Sequence, residues 1–348
     1  MDTRLQLLTE WVRQHPGLES ANPEPVSGDA SFRRYFRVWR TNGGGNPTPL
    51  IVMDAPPAHE DCAPFLAIAR HWHQHGIAVP AIEAEDLDQG LLMLEDLGDQ
   101  QMLAELDDRN ADPLYHQALD ELLLIARQDS PTDYTLPPYD AALLDREMAL
   151  FPDWLLEQHL GLELGNHDRA MLDTAFGLLK ESALAQPVVT VHRDYHSRNL
   201  MIRTGDSRPG VIDFQDAVRG PITYDAVSLL KDCYIRWPRE QVEQWLEYYR
   251  QATVKAGLHR ADPETFAQWF DLMGMQRHLK AAGIFARLAI RDGKTGYLQD
   301  IPRTISYLCE ASARQPAFRH FHEWLCDTVI PKVEQQIGPL PSGECQPQ

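Results

Sequence analysis

The chain has few lysines, and none lies in its first half. Six lysines occur among 348 residues, at positions 180, 231, 255, 280, 294 and 332. Lys and Arg together number 32 against 51 Asp and Glu, which gives a formal net charge of −19. Because nucleic-acid binding requires a basic surface, this balance argues against a nucleic-acid partner. A small anion can still bind where a metal ion and nearby arginines reverse the local field.

Paired-cysteine motifs and long apolar runs are also absent. The five cysteines are scattered, and no Cys-x-x-Cys motif joins any two of them. This spacing predicts free thiols and a cytoplasmic location. No apolar run approaches the length that spans a bilayer, and the N-terminus does not resemble a secretory signal. We therefore expect no membrane partner.

The segment 189–216, VTVHRDYHSRNLMIRTGDSRPGVIDFQD, carries the chemistry. Asp194 can accept a proton from a hydroxyl group, whereas Asn199 and Asp213 offer oxygen ligands to Mg²⁺. Phosphoryl transfer depends mainly on positioning and charge neutralisation, which this set provides. Taken singly, each residue has an ordinary explanation, as a surface Asp, a capping Asn or a buried strand-end Asp. Their order on a strand–loop–strand pattern indicates a catalytic site.

The remaining pattern predicts a two-lobed α+β fold. Strands are predicted at 32–39, 50–53, 80–85 and 91–95, with a helix at 59–75, and helices dominate after Gly98. We predict a small β-rich N-lobe at 1–97, carrying a nucleotide-binding sheet. A large α-helical C-lobe at 98–340 would hold the catalytic loop and the acceptor pocket. This is the plan of the protein-kinase-like fold.

Two backbone segments of the N-lobe are candidates for nucleotide contacts. The loop Ser27–Ser31, ending in Ser31, could hold phosphates through its N–H groups, although a plain hairpin turn explains it equally well. The backbone of Glu95 and Leu97, at the lobe boundary, could bind an adenine edge. A simple linker between the lobes is the alternative for these two residues.

A strand lysine that holds the nucleotide phosphates in ordinary kinases is missing here. Alternation in the strand FRRYFRVW places one arginine, Arg34, on the apolar inner face with Phe36 and Val38. A buried guanidinium there would need an anion, so Arg34 is the predicted substitute for the lysine. The alternative is that Arg33, Arg34 and Arg37 all extend to solvent.

The segment 146–160, REMALFPDWLLEQHL, combines aromatic and acidic side chains. Such a mixture suits a sugar, which stacks its apolar face and hydrogen-bonds through its hydroxyl groups. A packed helix is the simpler explanation for each residue alone. The predicted acceptor contacts are Glu147, Trp154, His196 and Asp216.

With HRDYHSRNL and VIDFQDA, the chain resembles the aminoglycoside phosphotransferase family, the small-molecule branch of the kinase-like fold. The resemblance covers residues 20–310. It implies ATP as phosphoryl donor, Asp194 as catalytic base, and Asn199 and Asp213 as Mg²⁺ ligands. The missing strand lysine departs from the family pattern and puts the anchoring of the nucleotide in doubt.

The stretches SGDASFRRYFRV and REMALFPDWLL resemble the bacterial amino-sugar 1-kinases of this family. That resemblance implies phosphorylation of the anomeric C1 hydroxyl of N-acetylmuramate and N-acetylglucosamine in cell-wall sugar recycling. Other acceptors (an aminoglycoside, choline or homoserine) and a nucleotide-binding pseudokinase are the alternatives. Only a short segment separates Asp213 from the helical pattern near Tyr224, which leaves no room for docking a protein substrate.

Overall fold

The computed structural model describes residues 2–26, 32–41, 43, 45–203 and 205–341. The chain forms two compact units, each assembled from separate segments. The first, here the sheet unit, comprises Met1–Glu105, Ser130–Thr135 and Asn199–Asp216. The second, the helical unit, comprises Leu106–Asp129, Leu136–Arg198 and Ala217–Gln348. The predicted phosphate loop Ser27–Ser31, including Ser31, lies outside the described residues.

The strands of the described residues are short. They are β1 (Glu24–Pro25), β2 (Arg34–Arg40), β3 (Thr48–Asp54), β4 (Ile82–Asp86), β5 (Leu91–Glu95), β6 (Val188–Val191), β7 (Leu200–Met201), β8 (Gly210–Val211) and β9 (Val218–Pro221). The first five form an antiparallel sheet in the order β1-β2-β3-β5-β4, whereas β6 pairs with β9 and β7 with β8.

Helices account for most of the helical unit, although the first three α-helices of the chain lie in the sheet unit. The α-helices are α1 (Thr3–Val12), α2 (Ala63–Gln74), α3 (Met102–Glu105), α4 (Ala111–Ala126), α5 (Ala141–Leu150), α6 (Asn166–Leu184), α7 (Tyr224–Leu230), α8 (Arg239–Lys255), α9 (Pro263–Asp292), α10 (Ile301–Ala313), α11 (Arg319–Trp324) and α12 (Ile330–Gln336). Segments Phe151–His159 and Leu325–Val329 are π-helical, and Thr295–Asp300 and Pro316–Phe318 are 3₁₀-helical. The predicted α+β class, with an antiparallel sheet and a helical C-terminal region, is confirmed.

One face of the sheet in the sheet unit packs against α1. Phe36 and Val38 of β2 are buried beside Leu8 and Trp11 of α1. Burying each such side chain contributes about 1.5–3 kcal/mol, so this contact is a major source of the unit's stability. The predicted alternation in β2 is therefore confirmed. The other face of the sheet carries Tyr35, Arg37 and Ile51, which line a cavity.

Helix α9 is the centre of the helical unit and is buried along most of its length. Gly283 allows it to lie close to α5, because a Cβ atom there would come within 2.3 Å of the carbonyl carbon of Leu150. Replacement of Gly283 by alanine would push the two helices apart. Two charged residues of the same helix, Arg277 and Lys280, are also buried.

Cysteine pairing differs in part from the expectation. Cys309 is disulfide-bonded, so the prediction of a free thiol is wrong at this residue. Spacing along the chain does not reveal which sulfur atoms meet in the fold. Cys62, Cys233 and Cys326 are free thiols, as expected. Across the described ranges, no helix is both long and apolar enough to cross a bilayer.

Candidate active site

The loop that follows β6 is held by two buried aspartates of the helical unit. The carboxylate of Asp225 accepts the backbone N–H groups of His192, at 2.6 Å, and Arg193, at 3.0 Å. Asp232 accepts the backbone N–H of Ser197 at 3.0 Å and also its hydroxyl group. Arg193 has a φ of +79°, in the left-handed region that non-glycine residues rarely adopt. A strained backbone immediately before Asp194 therefore depends on side chains from elsewhere in the unit.

Asp194 lines a cavity of about 150 Å³ in the helical unit. Among the other lining residues are His196, Tyr234, Arg277 and Lys280. Burial raises the pKa of Asp194, but the positive charges of Lys280 and Arg277 outweigh it and hold this pKa below the usual range. The carboxylate is therefore ionised at neutral pH, the state in which it can accept a proton.

Glu147 lies in the network behind this loop. Its carboxylate accepts from Arg193 Nη2 at 2.7 Å and from the hydroxyl of Tyr139, and it lies 3.2 Å from Lys280 Nζ. Burial raises the pKa of Glu147, but the charges of Lys280 and Arg193 have the larger effect. The pKa is lowered overall, so the group is ionised. The structure brings His196 together with Asp194. It does not place Glu147 or Trp154 among the described residues that line this cavity.

Asn199 and Asp213 lie together in the sheet unit. Asn199 Nδ2 is 3.4 Å from a carboxylate oxygen of Asp213, and the other carboxylate oxygen accepts from Gln215 Nε2 at 2.9 Å. Asp213 has a φ of +65°, and Gln215 Oε1 is buried without a hydrogen-bond partner in the structure. Amide and carboxylate oxygens are the donors that Mg²⁺ prefers, so this group of residues fits that ion.

The sheet unit also contains a cavity of about 730 Å³, within the range of small-ligand sites. Its lining includes Asn199 and Asp213 at one part and Glu95 and Leu97 at another. Leu97 makes no backbone hydrogen bond to another residue in the part of the chain that the structure describes. The N–H and C=O of Leu97 can therefore serve a ligand, and the contact with an adenine edge stays a prediction.

Arg37 is the arginine of β2 that lines this cavity. It lies opposite Ile51 of β3 in the strand register. Its guanidinium donates to Asp96 and, at 2.8 Å, to Asp99. The hydrogen bonds that Arg37 donates to Asp99 and, with a smaller effect, to Asp96 raise its pKa, so the side chain is a fixed cation in an otherwise acidic lining.

Arg34 lies on the other face of β2. Its guanidinium donates to the fully buried carboxylate of Asp54 at 2.6 Å, and it also pairs with Asp2. Arg4 of α1 donates to the same Asp54 carboxylate. The apolar face predicted to hold nucleotide is thus the face that packs on α1, and the anion beside Arg34 is a protein side chain. These contacts give no support to the prediction that Arg34 binds nucleotide.

Asp216 is exposed in the sheet unit. Its predicted contact with the acceptor stays a prediction. Four residues of the site were not predicted from the sequence: the loop-holding pair Asp225 and Asp232, and the cavity residues Arg277 and Lys280. A signal for the second pair was present, since both are cations within the largely apolar stretch of α9. A charge in a helix that is apolar all round indicates a buried partner or a ligand.

Comparisons with known proteins agree with this geometry. The model of the family described as "Phosphotransferase enzyme family" matches residues 23–266. A Pseudomonas aeruginosa protein named N-acetylmuramate/N-acetylglucosamine kinase is 48% identical over 341 residues, covering 93% of this chain and 96% of the relative. A Pseudomonas putida protein of the same name is 44% identical over 337 residues, with 94% and 97% covered.

Solved structures are similar in fold at low sequence identity. A Plasmodium vivax ethanolamine kinase superposes with a TM-score of 0.63 at 12% identity, covering 87% of this chain and 85% of the other. The ADP-bound aminoglycoside phosphotransferase APH(2'')-Ib gives 0.57 at 13% identity, with 89% and 99% covered. These likenesses show the kinase-like fold. With the family match over most of its length, the chain belongs to the phosphotransferase enzyme family.

Proposed function

We propose that the protein transfers the γ-phosphoryl group of ATP to the anomeric C1 hydroxyl of N-acetylmuramate and N-acetylglucosamine. The observation that carries the proposal is the ionised carboxylate of Asp194 in a small cavity beside the cations Arg277 and Lys280. The names of the two Pseudomonas relatives, which are similar over nearly their whole length, support the sugar class.

Asp194 is proposed to orient the C1 hydroxyl and accept its proton as the new O–P bond forms and the bond between the γ-phosphorus and the departing ADP breaks. A carboxylate with a lowered pKa is a weak base. An anomeric hydroxyl is more acidic than an ordinary alcohol, so such a base suits it better than it suits a simple alcohol. His196 lines the same cavity, and burial lowers its pKa. It is therefore neutral at pH 7 and is proposed to hydrogen-bond the sugar.

The nucleotide is proposed to bind in the cavity of the sheet unit, with the adenine edge at the backbone of Leu97. Arg37, which donates to Asp96 and Asp99, is proposed to offset the negative charge of the cavity lining in the absence of a strand lysine. Asn199 and Asp213 would hold Mg²⁺, which when bound neutralises charge on the triphosphate. A cytoplasmic location and a free small molecule as acceptor, rather than a protein, are parts of the same proposal.

The position of the phosphate on the product tests the proposal. Purified protein is incubated with ATP, Mg²⁺ and each sugar, and the product is examined by ³¹P and ¹³C NMR. We expect phosphate on C1. The C1 methyl glycoside should not be phosphorylated, whereas a sugar blocked at O6 should be. Phosphate on O6, or turnover of choline, homoserine or an aminoglycoside in preference to both sugars, would contradict the proposed acceptor.

A further inference from the structure

Arg277 is a buried cation without an ion-pair partner. It lies on α9 with 5% of its surface exposed. Its Nε atom has no hydrogen-bond partner, and its Nη1 atom lies 3.9 Å from Cys233 Sγ. Among the described residues, no carboxylate forms an ion pair with it. Burying an unpaired charge costs several kcal/mol, so this guanidinium is arranged for an anion that comes from outside the chain.

The neighbouring carboxylates Asp194 and Asp232 act on Arg277 through their charge but form no ion pair with it. Asp232 shares the cavity, but its carboxylate accepts from Ser197 and, at 2.9 Å, from the backbone of Tyr234. Lys280, one turn further along α9, has its own partners, because its Nζ atom lies 2.9 Å from the hydroxyl of Tyr224 and 3.2 Å from Glu147. Arg277 is thus the cation of this cavity whose donors remain available.

The two proposed acceptors differ in one charged group. N-acetylmuramate carries a carboxylate on its lactyl ether, whereas N-acetylglucosamine has a hydroxyl group at that position. A planar guanidinium matches a carboxylate with two parallel hydrogen bonds. The transferred phosphoryl group is a weaker candidate for this role. In the proposed function its charge is met by the Mg²⁺ that Asn199 and Asp213 would hold.

We propose that Arg277 binds the lactyl carboxylate of N-acetylmuramate and thereby sets the preference of the protein between its two acceptors. The inference rests on the proposed function, since it presumes that both sugars are phosphorylated. Arg277 is a specificity-determining residue in this scheme. The neutral sugar leaves the guanidinium unpaired and uses only the remaining contacts of the cavity.

The test compares the two sugars in one variant. Arg277→Met keeps most of the volume and removes the charge. We expect kcat/KM for N-acetylmuramate to fall by roughly 10- to 100-fold, mainly through KM, which is the range for losing a hydrogen bond to a charged group. The value for N-acetylglucosamine should fall by a smaller factor, because this sugar loses only the effect of Arg277 on Asp194. Arg277→Lys should recover only part of the loss, because an ammonium lacks the fork.

A matched control is available beside the same cysteine. Arg303 donates to the backbone carbonyl of Cys233 at 2.8 Å but does not line the cavity among the described residues. Arg303→Met should therefore leave the ratio of the two sugars unchanged. Thermal unfolding of each variant, with and without ATP, checks that the fold is retained.

A second arm needs no variant. Conversion of the lactyl carboxylate to its carboxamide removes the charge from the sugar. For the unmodified protein, kcat/KM should therefore be lower for the carboxamide than for N-acetylmuramate, by about the factor that Arg277→Met loses on N-acetylmuramate. The ratio of kcat/KM for the carboxamide to kcat/KM for N-acetylglucosamine should be the same in both proteins. Equal losses on both sugars, or no loss on the carboxamide, would overturn the role of Arg277. Failure of the unmodified protein to phosphorylate either sugar would instead overturn the proposed function.

Discussion

Asp225 lies 3.0 Å from the backbone nitrogen of Arg193 and holds that residue in its left-handed conformation. Arg193 directly precedes Asp194, the proposed base, so the position of the base depends on a side chain 32 residues beyond Arg193. Burial raises the pKa of Asp225 and the two backbone N–H groups that it accepts lower it. Burial has the larger effect, so the pKa is raised to about 7. The carboxylate is therefore buried at a cost in solvation, and its hydrogen bonds fix the backbone of the loop.

Asp225→Ala should damage catalysis and stability together. The substitution leaves two backbone N–H groups unsatisfied, and each buried unsatisfied group costs about 1–3 kcal/mol. A displacement of Asp194 by about 1 Å can cost roughly 10²-fold in kcat. Asp225→Asn keeps an acceptor oxygen, so its kcat and its free energy of unfolding should lie between those of the wild type and the alanine variant. Urea unfolding and steady-state kinetics measure both effects. Unchanged kcat in a destabilised Asp225→Ala protein would show that the loop holds its shape without this contact.

Asp194→Asn tests the base itself. The variant keeps the shape of the side chain, so the fold and nucleotide binding should survive. We expect kcat to fall by roughly 10²–10⁴-fold, the usual range for general acid–base catalysis. Circular dichroism and ATP titration serve as controls. A folded variant with near-wild-type turnover would exclude Asp194 as the base.

The Asn199–Asp213 pair predicts a defect in metal use. Asp213→Ala removes a charged oxygen ligand, so it should abolish activity and metal-dependent nucleotide binding. Asn199→Ala removes a neutral ligand and should raise the Mg²⁺ concentration needed for half-maximal rate. Mg²⁺ titrations at saturating sugar separate the two effects. Asp216→Ala is a suitable control, because this exposed neighbour lies in the same unit. Identical titration curves for both variants and the wild type would contradict the assignment.

The candidate catalytic motif could be recognised from sequence because its residues lie within one short segment. The spacing of Asp194, Asn199 and Asp213 is local, and the strands that carry them show clear apolar patterns. The alternation of β2 was also predictable, and Phe36 and Val38 are buried as expected. Which face of that strand lines the cavity was not predictable, because the answer depends on where α1 packs.

The features that could not be predicted from the sequence depend on contacts between residues far apart in the chain. Nothing near Asp225 in sequence shows that its carboxylate meets the backbone at residues 192 and 193. The return of segments 130–135 and 199–216 to the sheet unit likewise depends on contacts between distant parts of the chain. Arg277 could have been suspected from its apolar surroundings, but its missing ion-pair partner is visible only in three dimensions.

The two faces of β2 predict different roles for its arginines. Arg37→Ala should raise the KM for ATP by about tenfold, because the cavity keeps Glu95, Asp96 and Asp99 and loses their cation. The KM for the sugar should change less. Arg34→Ala, the matched control on the opposite face, should lower the midpoint of thermal unfolding and leave the KM for ATP unchanged. The reverse pattern would return the nucleotide contact to Arg34.

Glu310 provides a prediction for the dependence of stability on pH. Its carboxylate accepts from Arg236 and Arg239, each at 2.7 Å. Burial raises the pKa of Glu310, but Lys231 and these two arginines outweigh it and lower the pKa from 4.5 to about 2. A carboxylate with a lowered pKa stabilises the fold fully above its unfolded value. That contribution is lost as the pH falls from 4.5 towards 2.

Glu310→Gln should therefore lower the free energy of unfolding by about 3 kcal/mol at pH 7, because a tenfold change in an acid dissociation constant on folding corresponds to about 1.4 kcal/mol. The difference from the wild type should shrink when the pH is lowered from about 5 to about 3. Urea unfolding at these pH values measures it. Glu243→Gln is the control, because this exposed partner of Arg239 contributes at most about 1 kcal/mol. A difference that stays constant across this pH range would mean that Glu310 acts through packing and not through its charge.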